Sequence, residues 1–295
     1  MKYYPIILFC LLFASCEKVV DFNYQAKQKI CLNCILNPDS TVHLSLYYAR
    51  ALDENGAFEP VKNATVEFTE NGKPWGTATR GSDGNYSLNK KPLTGKAYII
   101  KCTVPGSLPL TAETTVPERP NITFEITSKE KSDSWKAGQT DESSHFYDLV
   151  VDYKLNDQRG NDYYWNYQIF WYTHKKKYNF TSSISYISPY IDDFNRVVEP
   201  ESKNGFYYAY YVRLTDTGAD GNVLEFSKGI TTLDIDVFFN ADENYDRYMK
   251  SSVQQKMIED EILPFKEPVQ IYSNIKNGTG IFGSASFTYL SFRNE

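Results

Sequence analysis

The sequence is short of the residues that build metal centres and nucleophilic triads. Its 295 residues include only three histidines, His43, His145 and His174, and none falls at the close spacing of a metal-binding pair. Of five cysteines, Cys10 and Cys16 lie in the N-terminal segment discussed below, which leaves Cys31, Cys34 and Cys102. An odd number in an exported chain permits at most one internal disulfide. Cys31-Leu32-Asn33-Cys34 follows a strand pattern, where residues three apart point to opposite faces. That geometry disfavours a zinc site, and no second pair follows. Buried thiols are favoured over a bridge from Cys31 or Cys34 to Cys102, and both stay open. No metal and no cofactor is expected. Positive charge is also scarce: 31 Lys and Arg stand against 37 Asp and Glu, a formal net charge of −6. This argues against nucleic acid as a partner, which demands clustered Lys and Arg. Internal repeats and low-complexity segments are absent.

What the chain has in abundance is tyrosine, 24 residues within an aromatic content of 16%. A flat apolar ring with a polar tip suits half-exposed strands, so the composition points to a mainly all-β protein. The 41% hydrophobic content is enough for real cores. Length suggests two domains, at about 150 residues each.

The N-terminus gives an address. Met1-Lys2 is followed by the apolar run Tyr3 to Phe13, then by Ala14-Ser15-Cys16. A positive start, an apolar stretch and small residues make a secretory signal. The run is shorter than the roughly 20 residues of a membrane-crossing helix. Cys16, directly after Ala14-Ser15 and before the polar Glu17-Lys18, resembles a bacterial lipobox. Cleavage before Cys16 would leave its thiol carrying a diacylglycerol, with palmitate-type chains; the alternative is an ordinary signal that contains a cysteine. Two or more acyl chains anchor stably. Residues 1–15 are thus expected as a lipoprotein signal peptide and 16–27 as a lipidated tether, with the membrane as a partner through the lipid.

From residue 28 the punctuation becomes that of a β domain. Ile30-Cys31-Leu32-Asn33-Cys34-Ile35-Leu36 reads as a strand. In Val42-His43-Leu44-Ser45-Leu46-Tyr47-Tyr48 the apolar residues alternate with polar ones. Asn71-Gly72 is the favoured two-residue hairpin turn. Short strands with turn signals every eight to twelve residues or so read as a sandwich. Residues 28–118 are therefore expected to form an immunoglobulin-like β-sandwich, ending at the prolines Pro117 and Pro120. Residues 119–295 should form a larger, aromatic-rich β domain with one short helix near 244–262. Residues 129–144 read as a polar loop. Strands are expected at 163–172, 206–214 and 232–239.

Candidate sites are few. Ser128-Lys129-Glu130-Lys131 matches Ser-x-x-Lys by letter alone, without its helix or partner motifs. Asp192-Asp193 reads as a solvated loop pair. Asp216 to Asn222 offers oxygen ligands but lacks a full calcium-loop pattern, so a hairpin turn is preferred. No catalytic residue is assigned. The binding candidates are aromatic: Trp165, Tyr167, Trp171 and Tyr172, then Tyr207, Tyr208, Tyr210 and Tyr211. Exposed Trp and Tyr are enriched at binding hot spots; the competing reading is that one face of each strand is simply core. Gly278, Gly280 and Gly283, between Val269, Ile271, Ile275 and Ile281-Phe282, read as a structural turn beside the helix, or as a close approach to another backbone.

The stretch Pro268-Val269-Gln270-Ile271-Tyr272-Ser273-Asn274-Ile275-Lys276-Asn277-Gly278-Thr279-Gly280-Ile281-Phe282-Gly283 resembles a known family. So do Ser15-Cys16-Glu17-Lys18-Val19-Val20-Asp21, Asn37-Pro38-Asp39-Ser40, Pro60 to Val66, and Tyr245-Asp246-Arg247-Tyr248. The resemblance is to Bacteroidetes outer-membrane lipoproteins grouped under the domain of unknown function DUF4249. Cys31 and Cys34 depart from the aliphatic residue and glycine common there. The resemblance implies an outer-membrane lipoprotein serving a TonB-dependent, SusC-like receptor in nutrient uptake, and it carries over no catalytic or ligand-binding residue. The expected function is a lipid-anchored, non-enzymatic accessory or binding protein, on the periplasmic or the cell-surface side. The alternatives are a hydrolase acting on glycan or peptide and a structural or adhesive surface protein. The ligand, whether small molecule, glycan or peptide, is not specified by the sequence.

Overall fold

Alternation fixes the first sheet. In β1 (Ile30–Leu36) Ile30, Leu32, Cys34 and Leu36 are buried, and in β2 (Val42–Tyr48) Val42, Leu44 and Leu46 are. A period of two is what a strand with one face on a core requires. The computed structural model describes residues 29–50, 56–131, 147–156, 163–172, 192–198, 206–214, 223–231, 235–260 and 269–292.

Asn71 and Gly72, with φ of 48° and 76°, turn β3 (Thr65–Glu70) into β4 (Lys73–Thr77), as their left-handed preference predicts. The chain then switches sheets into β5 (Thr79–Arg80) and β6 (Asn85–Leu88), and returns through β7 (Ala97–Thr103) and β8 (Leu110–Thr115). Next come β9 (Ile122–Lys131), β10 (Tyr147–Asn156), β11 (Tyr163–Tyr172), β12 (Asp192–Val198), β13 (Phe206–Leu214), β14 (Val223–Thr231) and β15 (Ile235–Ala241). A helix, α1 (Glu243–Asp260), precedes the last strand, β16 (Thr279–Ser291).

These strands make a nine-stranded sheet ordered β12-β13-β11-β15-β16-β1-β2-β6-β5, a four-stranded sheet β4-β3-β7-β8 and a three-stranded sheet β14-β10-β9. The two smaller sheets cover one face of the large one, each over its own half. Over the first half, Phe68 of β3 meets Phe282 of β16, ring centroids 6.2 Å apart, in a core that holds Leu32, Cys34, Leu46, Tyr98 and Ile100. Over the second half, Tyr153 of β10 packs on Phe238 of β15 at 5.2 Å, with Leu149, Val151, Ile230 and Phe292. Helix α1 lies on the opposite face, where Tyr245 and Met249 pack against Trp165, Phe239, Ala241 and Ala285.

The fold is mainly β and sandwich-type, as the sequence predicts, but several local expectations are revised. Strands from both sides of position 118 share the nine-stranded sheet, because β16 pairs in parallel with β1 over Thr279 to Ser284 and antiparallel with β15 over Ala285 to Ser291. Lys129 to Lys131, expected in a loop, continue β9 against β10. Their alternating charges are tolerated because β9 is an edge strand, where charge is common. Gly280 and Gly283 lie inside β16 rather than in a turn. Gly280 has φ +102°, and a Cβ there would fall on the carbonyl oxygen of Leu32 in β1. Close backbone approach is therefore the reason for glycine at this position.

Candidate functional site

A cluster of polar side chains lies where β15 stops and β16 runs on. Their ladder ends at Ala241 opposite Ala285, leaving backbone groups of β16 without a strand on that side. Asp242 takes the next place. Its N–H donates to Ser284 O at 2.9 Å, and its Oδ1 accepts from Ser284 N at 2.9 Å. Asn274 serves Phe282 likewise, donating from Nδ2 to Phe282 O at 2.7 Å and accepting from Phe282 N at 3.0 Å. Buried backbone groups are thus paired by side chains that imitate a strand.

Asp242 also starts α1. Its Oδ1 accepts from Tyr245 N at 3.1 Å, the bond of an N-cap residue, and its Oδ2 accepts from Asn244 Nδ2 at 3.2 Å. Burial pushes this carboxyl above the usual range, and the bonds from Ser284, Thr114, Tyr245 and Asn244 oppose that rise. One turn further on, Asp246 is buried. Its Oδ1 accepts from Trp165 Nε1 at 3.0 Å, and its Oδ2 sits 2.7 Å from Lys250 Nζ. The segment before β16 is laced to the helix: Gln255 Oε1 accepts from Val269 N at 2.7 Å, Ser251 Oγ accepts from Tyr272 N at 2.8 Å, and Arg247 stacks over the Tyr272 ring at 4.2 Å.

A polar seam joins this region to β8. The hydroxyls of Ser284, Ser286 and Thr288 donate to the carbonyls of Thr115, Pro117 and Pro120, at 2.9, 2.6 and 3.1 Å. Asn277 Nδ2 donates to Pro109 O at 2.8 Å, Lys276 N to Thr111 O at 2.9 Å, and Asn244 Nδ2 to Glu113 O at 3.2 Å. β8 ends its sheet, so the seam covers what would otherwise be an open edge. The Ser284 hydroxyl is also 2.8 Å from Thr114 Oγ1, and both are buried. Chemically, the arrangement braces two sheets and a helix. Sequence reasoning missed it, although Asp242-Glu243 ahead of the helical pattern is a recognisable capping signal.

The aromatic candidates divide. Trp165 is fully buried, stacked 9° from parallel with Phe239 at 6.3 Å, so it belongs to the core and not to a binding surface. The hydrophobic face of α1 and the carboxylate of Asp246 give it both an apolar bed and a partner for its N–H. For the others the structure gives backbone register alone. Tyr167 stands opposite Tyr211, Gln168 opposite Tyr210, Phe170 opposite Tyr208, Trp171 opposite Tyr207 and Tyr172 opposite Phe206. Opposite positions share a face of the sheet, so aromatic positions stand opposite one another along the β11–β13 ladder on both faces. The side chains of Tyr167, Trp171, Tyr172, Tyr207, Tyr208, Tyr210 and Tyr211 lie outside the described residues.

Asp192 and Asp193, expected in a loop, open β12, with Asp192 opposite Tyr211. Residues 216–222 and Cys16 lie outside the described residues. Cys31, Cys34 and Cys102 are free thiols, with Cys34 and Cys102 buried and Cys31 half-buried. Burial raises all three pKa values, Cys102 to about 12. Among the described residues no three His, Cys, Asp or Glu side chains converge as a metal site would need. No helix among them is long and apolar enough to cross a membrane, which says nothing about strands.

Against known proteins, the chain matches the family profile "Domain of unknown function (DUF4249)" over residues 17–290. It belongs to the DUF4249 family. The segments laced to α1 and β8 are thus parts of a DUF4249 fold, and residues 269–283 are tied by hydrogen bonds to α1, to β16 and to the start of β8. None of the curated proteins matches the chain. Among solved structures, the chitinase ChiA74 from Bacillus thuringiensis is similar at 13% identity, covering 70% of this chain and 27% of its own, with a TM-score of 0.18. A protein described as membrane-anchored from Corynebacterium diphtheriae is 14% identical, with 84% and 58% covered and a TM-score of 0.21. This DUF4249 chain thus spans about a quarter and somewhat over half of their lengths. At such scores neither carries an argument about fold or function.

Proposed function

We propose that this DUF4249 protein is a lipid-anchored, non-enzymatic accessory of the outer membrane that helps a TonB-dependent, SusC-like receptor capture a nutrient. The observation that carries the reading is Cys16, placed after Ala14-Ser15 at the end of the apolar run. The family match begins one residue later, at Glu17, as it would if the mature chain starts at the acylated cysteine. The first described residue is Lys29; an extended tether from Cys16 to there reaches at most about 45 Å, at roughly 3.3–3.6 Å per residue. The body can therefore address a neighbouring membrane protein without leaving its anchor. The aromatic positions of β11 and β13 supply the surface for receptor or ligand.

The test is co-purification from detergent-solubilised outer membrane, with intact mass measured on the same sample. The expected result is a chain heavier by a diacylglycerol and an acyl group at Cys16, together with a large β-barrel partner. The Cys16→Ser variant should lose both the added mass and the membrane fraction. An unmodified thiol at Cys16 sinks the anchoring. A lipidated chain that purifies alone removes the receptor and leaves an adhesive or structural role. Trp171→Ala combined with Tyr207→Ala, which share a face of the sheet, should lower partner recovery at least tenfold while the chain stays folded. Undiminished recovery would move the contact surface elsewhere.

A further inference from the structure

Among the described residues, β16 is the strand that reaches all three hydrophobic clusters. Phe282 lies in the first, against β1 and the four-stranded sheet. Phe292, immediately after the strand, lies in the second, its ring 5.1 Å from Phe124. Ala285, with Phe287 beside it, lies in the third under α1. The same strand supplies the parallel partner of β1 from Thr279 to Ser284 and the antiparallel partner of β15 from Ala285 to Ser291. Its hydroxyls at Ser284, Ser286 and Thr288 carry the seam to Thr115, Pro117 and Pro120. Thus β16 lies between β1 and the strands of the second half of the described structure.

We infer that β16 works as a completion lock: the halves expected as separate domains form one cooperative unit, and neither reaches its folded state until the C-terminal strand inserts. Without β16, β1 presents an open edge along Cys31 to Leu36, and the first core lacks Phe282. The second half simultaneously loses the strand that flanks β15 and the aromatic ring at Phe292. Exposed strand edges beside apolar surface pair with whatever is available, so an incomplete chain is held in an unfolded or captured form. The inference concerns folding and does not depend on the anchoring or the receptor proposed above.

Hydrogen exchange on the full-length chain tests it. Phe292→Ala touches only the second core. In a single cooperative unit it lowers the protection of β3 and β7 amides, in the first half, by the same factor as those of β10, roughly a hundredfold to several thousandfold for a buried Phe→Ala. Loss confined to β10 and β9 with β3 and β7 unchanged would overturn the inference. A second measurement covers the case in which Phe292→Ala does not fold. A chain ending at residue 278 should lack protection in β3, β7 and β10 alike, and a synthetic peptide of residues 279–295 should restore it. Native-like protection of β1 to β8 in that shortened chain would equally overturn the lock.

Discussion

A single carboxylate at Asp242 closes the β15–β16 ladder and opens α1, so its removal has two consequences. Asp242→Ala deletes an N-cap, at about 1 kcal/mol, and leaves the N–H of Ser284 unpaired in a buried place, about 1–3 kcal/mol more. Denaturant unfolding should report a loss of roughly 2–4 kcal/mol; a change within 0.5 kcal/mol or so would remove Asp242 from the brace. Asp242→Asn keeps an acceptor for Tyr245 and Ser284 and should cost less. Trp165→Phe tests the neighbouring bond. It preserves the apolar bed and leaves Asp246 without the indole N–H, so a loss of about 1–3 kcal/mol is expected. The thiols provide an independent probe. Buried Cys34 and Cys102, with pKa values raised by burial, should resist alkylation in the native protein and react on unfolding. Rapid labelling of Cys34 in the folded chain would contradict its place in the core.

At the level of elements, the legible parts of the sequence were those with a local side-chain pattern. β1 and β2 could be bounded from residues alone because their apolar residues alternate, and β11 and β13 because long aromatic runs favour strands. The Asn71-Gly72 turn was readable for the same local reason. β8 was obscured by the prolines around it, and the donors along its outer edge come from remote sequence. β16 was concealed by its glycines. Close approach to Leu32 requires Gly280, but a glycine-rich stretch by itself reads as a turn. Hence Gly280→Ala should be among the most damaging glycine substitutions. A Cβ there meets backbone rather than a flexible side chain, and φ +102° disfavours any L residue. A fall in thermal midpoint of 5 °C or more is expected, against little change for Gly72→Asn in the hairpin, where asparagine tolerates positive φ. Equal tolerance at the two positions would contradict the β1–β16 approach.

For the molecule as a whole, pH should act on stability through two carboxylates of opposite sign. Asp39 is held below the usual carboxylate range by the hydrogen bond from Arg119, with burial working against it. Arg119 grips both carboxylate oxygens and also donates to Phe287 O, so the pair ties the turn after β1 to the linker after β8 and to β16. A depressed pKa means that this contribution is present above the unfolded value and is lost as pH falls through the folded one. Asp242 behaves in reverse. Burial raises its pKa, so its protonated form favours folding below the unfolded value, and that contribution disappears as pH rises through the folded one. The Asp39–Arg119 pair is about two-fifths exposed on each side, which screens it to roughly 1 kcal/mol or less. Arg119→Ala should therefore lower stability near neutral pH by that modest amount, less in high salt, and flatten the acid limb. Asp242→Asn should leave that limb in place and remove the decline on the other side, between the ordinary carboxylate range and its raised value. Because β16 contacts both groups, through Phe287 O and Ser284 N, the two effects should appear in the same cooperative transition. Unfolding curves recorded from pH 3 to 8 by a probe in each half decide the matter: midpoints that separate as pH changes would show that the carboxylates act on independent parts of the chain.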